Sequence, residues 1–451
     1  MRGLVRFWWT FEDPVSRRAY LLHGLGLTAL KYAGDVGFVA IGAGRLWTPV
    51  DYLRAVPFLL DTRLEGGAPW LMPALALWVL PFLWAGVTLT MRRAIDAGWS
   101  AWVVLLFFVP LVSYLLMAAL AAAPHSPAGP VDTRPPRRDE HRLPGALLAM
   151  AAGAAFGLAM ILFAVSLLEH YGLGLFLGTP FVTGALTGFF FNRRYAASAG
   201  ETAAVTAMTF LLLAGTAFLL GTEGAICLLM AAPLGIAIGV MGAWCGRHAA
   251  LRSRDTFASS MVACLVLPLL AGLEPAGIAG SSVHEVRSRI EIDAAPERVW
   301  DLVIAFPAIA QRPGTLFRLG IAYPRSARIE GQGVGATRYC EFSTGAFVEP
   351  ITAWEPARRL SFDVVASPAP LEELTFRGGV APAHLDGYLR PLRGEFRLIA
   401  LPGGGTRLEG STWYRLRMAP EAYWAAVTDY LIGRIHHRVL DHIRREVERG
   451  S

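Results

Sequence analysis

Long apolar runs separated by short polar stretches occupy the first 273 residues, whereas apolar and polar residues alternate after His284. A transmembrane helix needs about 20 mostly apolar residues to cross a hydrocarbon layer of about 30 Å. Runs of this kind predict about eight spans: 20–43, 70–90, 101–122, 144–168, 173–191, 203–220, 224–246 and 257–273. Because apolar character is sustained within each run, we expect helices that contact lipid and one another.

Glycines recur four residues apart inside several of these runs, at Gly153, Gly157, Gly184, Gly188, Gly235 and Gly239. Small residues let helix backbones approach closely in a membrane. The spacing therefore predicts tightly packed helix pairs.

Two polar breaks divide the chain, at 124–143 and at 274–283. The first is rich in proline and charge, which is typical of an exposed linker. We predict four parts: a three-span module over 1–125, a linker over 126–143, about five spans over 144–273, and a separate domain over 284–451.

The last part combines strand and helix patterns. Alternation at 286–293 predicts a strand, and Pro296 opens a helical pattern because proline is tolerated in a first turn. Further strand-like runs lie at 320–330, 335–354, 358–366, 393–401 and 406–417. Gly403-Gly404-Gly405 suits a hairpin between the last two, and the glycines at 331, 333 and 335 suit a tight turn. Pro420 begins an amphipathic helix of about 30 residues, so the order is that of an α+β helix-grip domain.

Composition narrows the class of protein. Hydrophobic residues make up 54% of the chain and charged residues only 17%, against about a quarter in ordinary globular proteins. A soluble enzyme and a disordered regulator are therefore excluded. The four cysteines lie far apart, which favours neither a disulfide framework nor a zinc site. The net charge is +6, but the basic residues do not gather into a long stripe, so we expect no nucleic-acid partner.

The segment IEIDAAPERVWDLVIAF resembles the opening of the START-like (SRPBCC) superfamily, the polyketide cyclase and lipid-transport group. CEFSTGAFVEPITAW, HLDGYLRPLRGEF, LEGSTWY and IHHRVLDHI are similar to a bacterial branch in which this domain follows a membrane region. The resemblance covers about 165 residues and implies an antiparallel sheet around the last helix, with an apolar cavity between them. It implies no particular reaction, because members include lipid carriers, receptors, cyclases and co-chaperones.

A second resemblance covers approximately residues 6–125. Arg17-Arg18-Ala19-Tyr20 and the later MRRAIDAGWSAW are similar to the bacterial inner-membrane family called domain of unknown function 805. This resemblance implies a topology and no chemistry.

Candidate ligand-binding residues are the polar and aromatic side chains on the strands and loops of the last domain, with two apolar residues of its final helix. They are Arg338, Glu341, Glu349, His384, Tyr388, Trp413, Tyr414, Leu431 and Ile435. Strand alternation puts Arg338 and Cys340 on one face and Glu341 on the other. Since the pattern does not say which face is inside, it identifies no catalytic residues.

The final helix carries three histidines. We expect His436 at the edge of the apolar stripe, and His437 and His442 in solvent. Their spacing matches no zinc signature, so we predict no metal and no cofactor.

Two charged clusters lie in the first module. Lys31 and Asp35 are four apart on one helix, where they form either an ion relay or a self-neutralising pair. Arg92, Arg93 and Asp96 either bind a lipid head group or anchor a helix end at the interface. We favour the structural interpretation in both cases.

Arginine counts test the orientation, since positive loops stay cytoplasmic. The loops 123–143, 192–202 and 247–256 hold 4, 2 and 3 arginines, which places them inside and the last domain outside. With eight spans, the arginines of the first module would then lie outside. Either 51–62 re-enters the membrane or 257–273 does not cross, and the side of the last domain stays open.

These patterns predict a multi-pass protein of the bacterial cytoplasmic membrane, whose START-like domain binds a hydrophobic small molecule or lipid beside the membrane lipids. Two alternatives remain: a cyclase- or hydrolase-like enzyme on a lipophilic substrate, and a non-catalytic assembly or sensing protein. An enzyme would need at least two ionisable residues converging inside the cavity. The sequence leaves the oligomeric state open.

Overall fold

The chain forms two compact units, Met1–Leu220 with Ala231–Ile278, and Gly221–Met230 with Ala279–Ser451. This computed structural model describes residues 2–11, 14–49, 70–108, 112–126, 139–167, 171–253, 283–373 and 387–449, together with residues 51, 68, 135 and 255.

Helices make up the described part of the first unit. They are α1 (Arg2–Trp9), α2 (Arg17–Ala43), α3 (Leu71–Asp96), α4 (Val112–Ala122), α5 (Arg142–Leu162), α6 (Thr179–Arg194), α7 (Ala199–Leu220) and α8 (Ala225–Arg252), of which α8 begins in the second unit. Short 3-10 helices cover Ala101–Phe108 and Asp139–His141. Wider π-helical turns over Phe163–Leu167 and Gly174–Gly178 extend α5 and precede α6.

Four helical stretches in the described residues are long and apolar enough to cross a membrane. They are Asp139–Val165, Gly174–Arg194, Ala199–Leu220 and Ala225–Arg252. These correspond to four of the predicted spans. The predicted spans 20–43 and 70–90 form α2 and α3, which are not among the four, and 257–273 lies outside the described residues.

The other three spans pack around α6, which is buried along most of its length. A Cβ atom on Gly184 would lie 1.8 Å from the carbonyl oxygen of Gly239 on α8, and one on Gly188 would lie 2.1 Å from that of Ala243. The predicted close helix packing is therefore confirmed at these positions. It is not found at Gly235, where an added Cβ would meet nothing within 4 Å.

The predicted span 101–122 is divided into the 3-10 helix and α4, and both ends of this segment lie beside the end of α3. At its start, Ala101 follows α3 by five residues. At its end, Arg93 of α3 donates to the carbonyl oxygen of Leu120 at 3.0 Å, and Ser126 N donates to Asp96 O at 3.0 Å. The segment thus leaves and returns to one end of α3.

The second unit is a seven-stranded antiparallel sheet with the order β1-β7-β6-β5-β4-β3-β2. Its elements are β1 (Val283–Ile292), α9 (Pro296–Ile304), α10 (Thr315–Arg318), β2 (Pro324–Glu330), β3 (Thr337–Phe342), β4 (Gly345–Glu355), β5 (Arg359–Asp363), β6 (Leu389–Ala400), β7 (Thr406–Leu416) and α11 (Glu421–Arg449). The run 335–354, predicted as one strand, is a hairpin of β3 and β4, because Gly345 with φ +140° allows a turn there. The glycine turns predicted at 331–335 and 403–405 are confirmed, with positive φ at Gly331 and Gly404.

Helix α11 lies against the inner face of this sheet. Its last half contributes Val439, Leu440, Ile443 and Val447 to a core shared with α9 and with inward residues of the strands. The predicted helix-grip fold is therefore confirmed, with an α-helical region before it.

Candidate functional site

The inner face of the sheet is the face that carries Arg338, Cys340 and Glu349, all buried. Arg338 and Glu349 stand opposite each other in the β3–β4 register. The side chain of Glu341 lies on the other face and is 39% exposed, with Arg328 at 3.9 Å. The strand alternation thus separated these residues correctly, and the tertiary structure shows which face is inside.

Arg338 and Glu349 form a salt bridge inside the domain, with side-chain exposures of 2% and 7%. The guanidinium also donates to Ile304 O at 3.1 Å and is surrounded by the rings of Phe306, Phe362 and Phe396 at 5.4 to 5.8 Å. Burial raises the pKa of Glu349, although the neighbouring Arg338 charge opposes that rise. Each charged group has its partner within the domain, so the pair can hold β3 and β4 in register without contacting a ligand.

A second polar contact joins the middle of α11 to the sheet. His436 Nε2 lies 2.8 Å from Thr412 Oγ1 and its Nδ1 lies 3.2 Å from Ser288 Oγ. Burial lowers the pKa of His436 to about 4, so the ring is neutral at neutral pH, with one nitrogen donating and the other accepting. The helical periodicity of the sequence placed His436 at the edge of the apolar stripe of α11, but nothing in the sequence indicated its two hydroxyl partners.

The beginning of α11 carries a third polar group. Tyr414 donates to Asp429 at 2.6 Å, and the ring of His284 stacks on Tyr414 at 5.2 Å. His284 Nε2 in turn lies 2.7 Å from the Glu421 carboxylate. Burial raises the pKa of Tyr414, so its hydroxyl stays protonated and serves as a donor.

The prediction that His442 is solvated is wrong. Its side chain is 2% exposed and contacts Phe306 edge-on, with Glu446 at 4.0 Å. The helix turn that carries it faces α9, because the core there closes around Ile443 and Val447. His437 is exposed, as expected.

An apolar group, here called the mouth cluster, covers the inner side of the first half of α11. Its buried members are Ile226, Cys227, Phe317, Ile321 and Leu371, and its half-buried members include Met230, Leu431 and Ile435. Its members lie on the helices α8, α10 and α11 and on loops, whereas strands contribute to the domain core. Leu431 and Ile435 are the predicted ligand-binding residues that lie here. Ile226 and Cys227 could not be predicted, since they come from a predicted membrane span about 100 residues earlier.

The other candidate residues that the structure describes lie apart from the mouth cluster. Trp413 is on the outer face, where the Arg393 guanidinium stacks on its ring at 3.9 Å. Tyr388 precedes β6 and is half-buried, and its carbonyl oxygen accepts from Arg417 N at 2.7 Å. His384 lies outside the described residues. The described residues contain no group of three His, Cys, Asp or Glu side chains placed to hold a metal ion.

Arg92 and Arg93 of the first unit are buried and bind main-chain oxygens near helix ends. Arg92 donates to the carbonyl oxygens of Phe7 and Thr10 at 2.7 and 3.0 Å, at the C-terminal end of α1. Arg93 pairs with Asp96, whose other oxygen lies 2.8 Å from His125 Nδ1. Lys31 and Asp35 pair within α2. These contacts support the structural interpretation of both charged clusters.

These features define a class: a helix-grip domain attached to a region with four candidate membrane helices. Residues 283–448 match the family model described as polyketide cyclase / dehydrase and lipid transport, and the C-terminal domain is of that type. Residues 8–131 match the model described as protein of unknown function (DUF805). Both resemblances stated from the sequence are confirmed.

Solved structures similar to the chain include an aromatase/cyclase from Streptomyces sp. R1128, with 14% identity over 37% of this chain and 95% of the other and a TM-score of 0.25. A norcoclaurine synthase from Thalictrum flavum has 14% identity over 39% and 91%, with a TM-score of 0.26. A protein from Nitrosospira multiformis has 18% identity over 37% and 100%, with a TM-score of 0.25. Scores this low add nothing to the fold seen directly in the sheet and helix. No curated protein matches the chain.

Proposed function

We propose that the C-terminal domain binds a hydrophobic small molecule or lipid at the surface of the membrane that the helical region crosses. The observation that carries this proposal is the mouth cluster, a second apolar group on the inner side of α11, distinct from the closed core. Since none of its members belongs to one of the seven strands, it can open without breaking the ladder of the sheet. An apolar ligand would replace apolar contacts there. The family description, which includes lipid transport, supports the same function.

Binding is favoured over catalysis by the way in which the inner ionisable groups are used. Arg338 pairs with Glu349, Tyr414 with Asp429, and neutral His436 with two hydroxyls. General acid–base chemistry needs groups within reach of a substrate, whereas these satisfy one another.

Mass spectrometry of molecules extracted from the purified full-length protein tests the binding function. We expect a defined hydrophobic compound in the native protein, and at least a tenfold smaller amount in Leu431→Asp, because a carboxylate in the mouth cluster is costly to bury. Tyr430→Asp is the matched control, since Tyr430 lies at the preceding position of the helix and is 63% exposed. Native protein without any such compound, or equal amounts in both variants, would contradict the proposal.

We also propose that this domain lies outside the cytoplasmic membrane and that the amino terminus lies inside. Because the segment 101–122 returns to the end of α3, it does not count as a crossing. Arg17, Arg18, Arg92 and Arg93 then share one side with the basic loops, and Tyr20 OH at 3.0 Å from Thr90 Oγ1 supports α2 and α3 as a hairpin. The conflict in the arginine counts disappears, and all of these charges obey the positive-inside rule.

The second unit supports the same topology. Helix α8 begins within it, through Ile226 and Cys227, and ends at Arg252 with the basic loops. Arg247 Nε donates to Ala197 O at 2.9 Å, which places the end of α8 beside the loop after α6. This topology requires the predicted span 257–273, outside the described residues, to cross the membrane.

Reporter fusions test this topology. Alkaline phosphatase fused after Ser451 is expected to be active, because this enzyme is active only outside the cytoplasmic membrane. Green fluorescent protein at the same site is expected to be dark, because it becomes fluorescent only in the cytoplasm. A truncated fusion after Ala197 should give the reverse. A fluorescent fusion after Ser451 would contradict the proposed orientation.

A further inference from the structure

A carboxylate from a distant loop holds the first turn of α8. Glu373 accepts hydrogen bonds from Ile226 N and from Cys227 N, one at each carboxylate oxygen and both at 3.1 Å. The first N–H groups of a helix have no acceptor within the helix, and its N-terminus favours a negative charge. Tyr423 of α11 adds a third bond, from its hydroxyl to the carbonyl oxygen of Met230. Residues 224–230 are thus tied to the domain at two points.

The same residues fill the mouth cluster. Ile226 and Cys227 are 7% and 8% exposed there. The approach is close: a Cβ on Gly320, whose φ is +116°, would lie 2.8 Å from Ile226 Cδ1. Side chains of a membrane-type helix therefore occupy the apolar surface that Leu431 and Ile435 present.

We propose that residues 224–230 form an internal plug, latched by Glu373, and that a hydrophobic ligand enters the domain by displacing Ile226 and Cys227. The plug rests on the proposed binding function. Displacement exchanges one set of apolar contacts for another. The free-energy difference between the plugged and the ligand-bound states is therefore set by the hydrogen bonds of Glu373, which are separate from the ladder of the sheet. The ligand class that fits is a flexible apolar chain, since it replaces an isoleucine, a cysteine and a methionine side chain.

Thiol labelling in the full-length protein in lipid nanodiscs measures opening of the plug. Peptide mass spectrometry after maleimide treatment gives the labelling rates of Cys227 and Cys340 in the same molecule. In Glu373→Ala we expect Cys227 to react at least about tenfold faster, since tenfold corresponds to about 1.4 kcal/mol and two hydrogen bonds to a carboxylate are lost. Cys340, buried in the core, should be unchanged. Glu372→Ala is the matched control, because its side chain is exposed and its main chain alone bonds Gly320.

Gly224→Ala is an independent way to loosen the latch while the carboxylate remains. Its Cβ would lie 2.0 Å from a Glu373 oxygen and would push that flexible side chain aside. We expect faster Cys227 labelling in this variant too. Unchanged labelling in both variants would overturn the plug.

Uptake of the fluorescent fatty acid cis-parinaric acid separates the plug from the binding function. Faster uptake by Glu373→Ala than by native protein supports the plug. Equal rates of uptake overturn the plug and leave the binding function standing. If neither protein takes up the probe, the binding function fails and the plug with it.

Discussion

Gly184→Ala is expected to lower the free energy of unfolding of the membrane unit by about 3 kcal/mol or more, at the upper end of overpacking costs. The added Cβ would lie 1.8 Å from the carbonyl oxygen of Gly239, which is main chain and cannot turn away. Helices α6 and α8 would have to separate. The contacts at Gly188, Gly242 and Gly246, which are equally close, would loosen together. Reversible unfolding by sodium dodecyl sulfate in mixed micelles measures the change.

Gly235→Ala should change the free energy of unfolding in the opposite direction. An added Cβ there meets nothing within 4 Å. Alanine in place of glycine inside a helix stabilises by roughly 0.5–1 kcal/mol, so we expect no loss and a small gain. Equal losses for both variants would show that glycine flexibility, and not close packing, matters in these helices.

Glu349→Ala is expected to lower the free energy of unfolding of the C-terminal domain by about 3–5 kcal/mol, because it leaves a buried guanidinium uncompensated. Apart from Glu349, the described contacts of Arg338 are a main-chain oxygen, the Cys340 side chain and aromatic rings, with no second carboxylate among them. Urea unfolding of the full-length protein, followed by hydrogen–deuterium exchange of peptides from this domain, measures the loss.

The double variant Arg338→Met with Glu349→Leu should be much less harmful than either single change, because replacing both members of a buried pair removes the desolvation cost as well. Glu341→Ala on the opposite face of β3 is the control and should change stability by less than about 0.5 kcal/mol. If Glu349→Ala proved equally mild, the pair would not be buried in the native protein. It would then become a candidate for contact with the ligand.

The candidate site was only partly predictable. The apolar position of Leu431 and Ile435 on the last helix follows from the 3.6-residue repeat of an amphipathic helix, and their role in binding stays a prediction. Arg338 and Glu349 were chosen for their charge, and the structure shows them paired with each other in the core. Glu373 and Ile226 lie 147 positions apart, and no local pattern connects a loop carboxylate to a helix that begins so far away.

The sequence by itself determined the long apolar helices, the helix-grip order and the close packing at Gly184 and Gly188, because each follows from local periodicity or from the size of one residue. The tertiary structure alone decided which sheet face is inside, that His442 is buried, and that 101–122 returns to the end of α3. It also shows that the start of α8 packs in the mouth cluster of the C-terminal domain. These depend on contacts between residues far apart in the chain, and periodicity carries no information about which distant element an apolar face will meet.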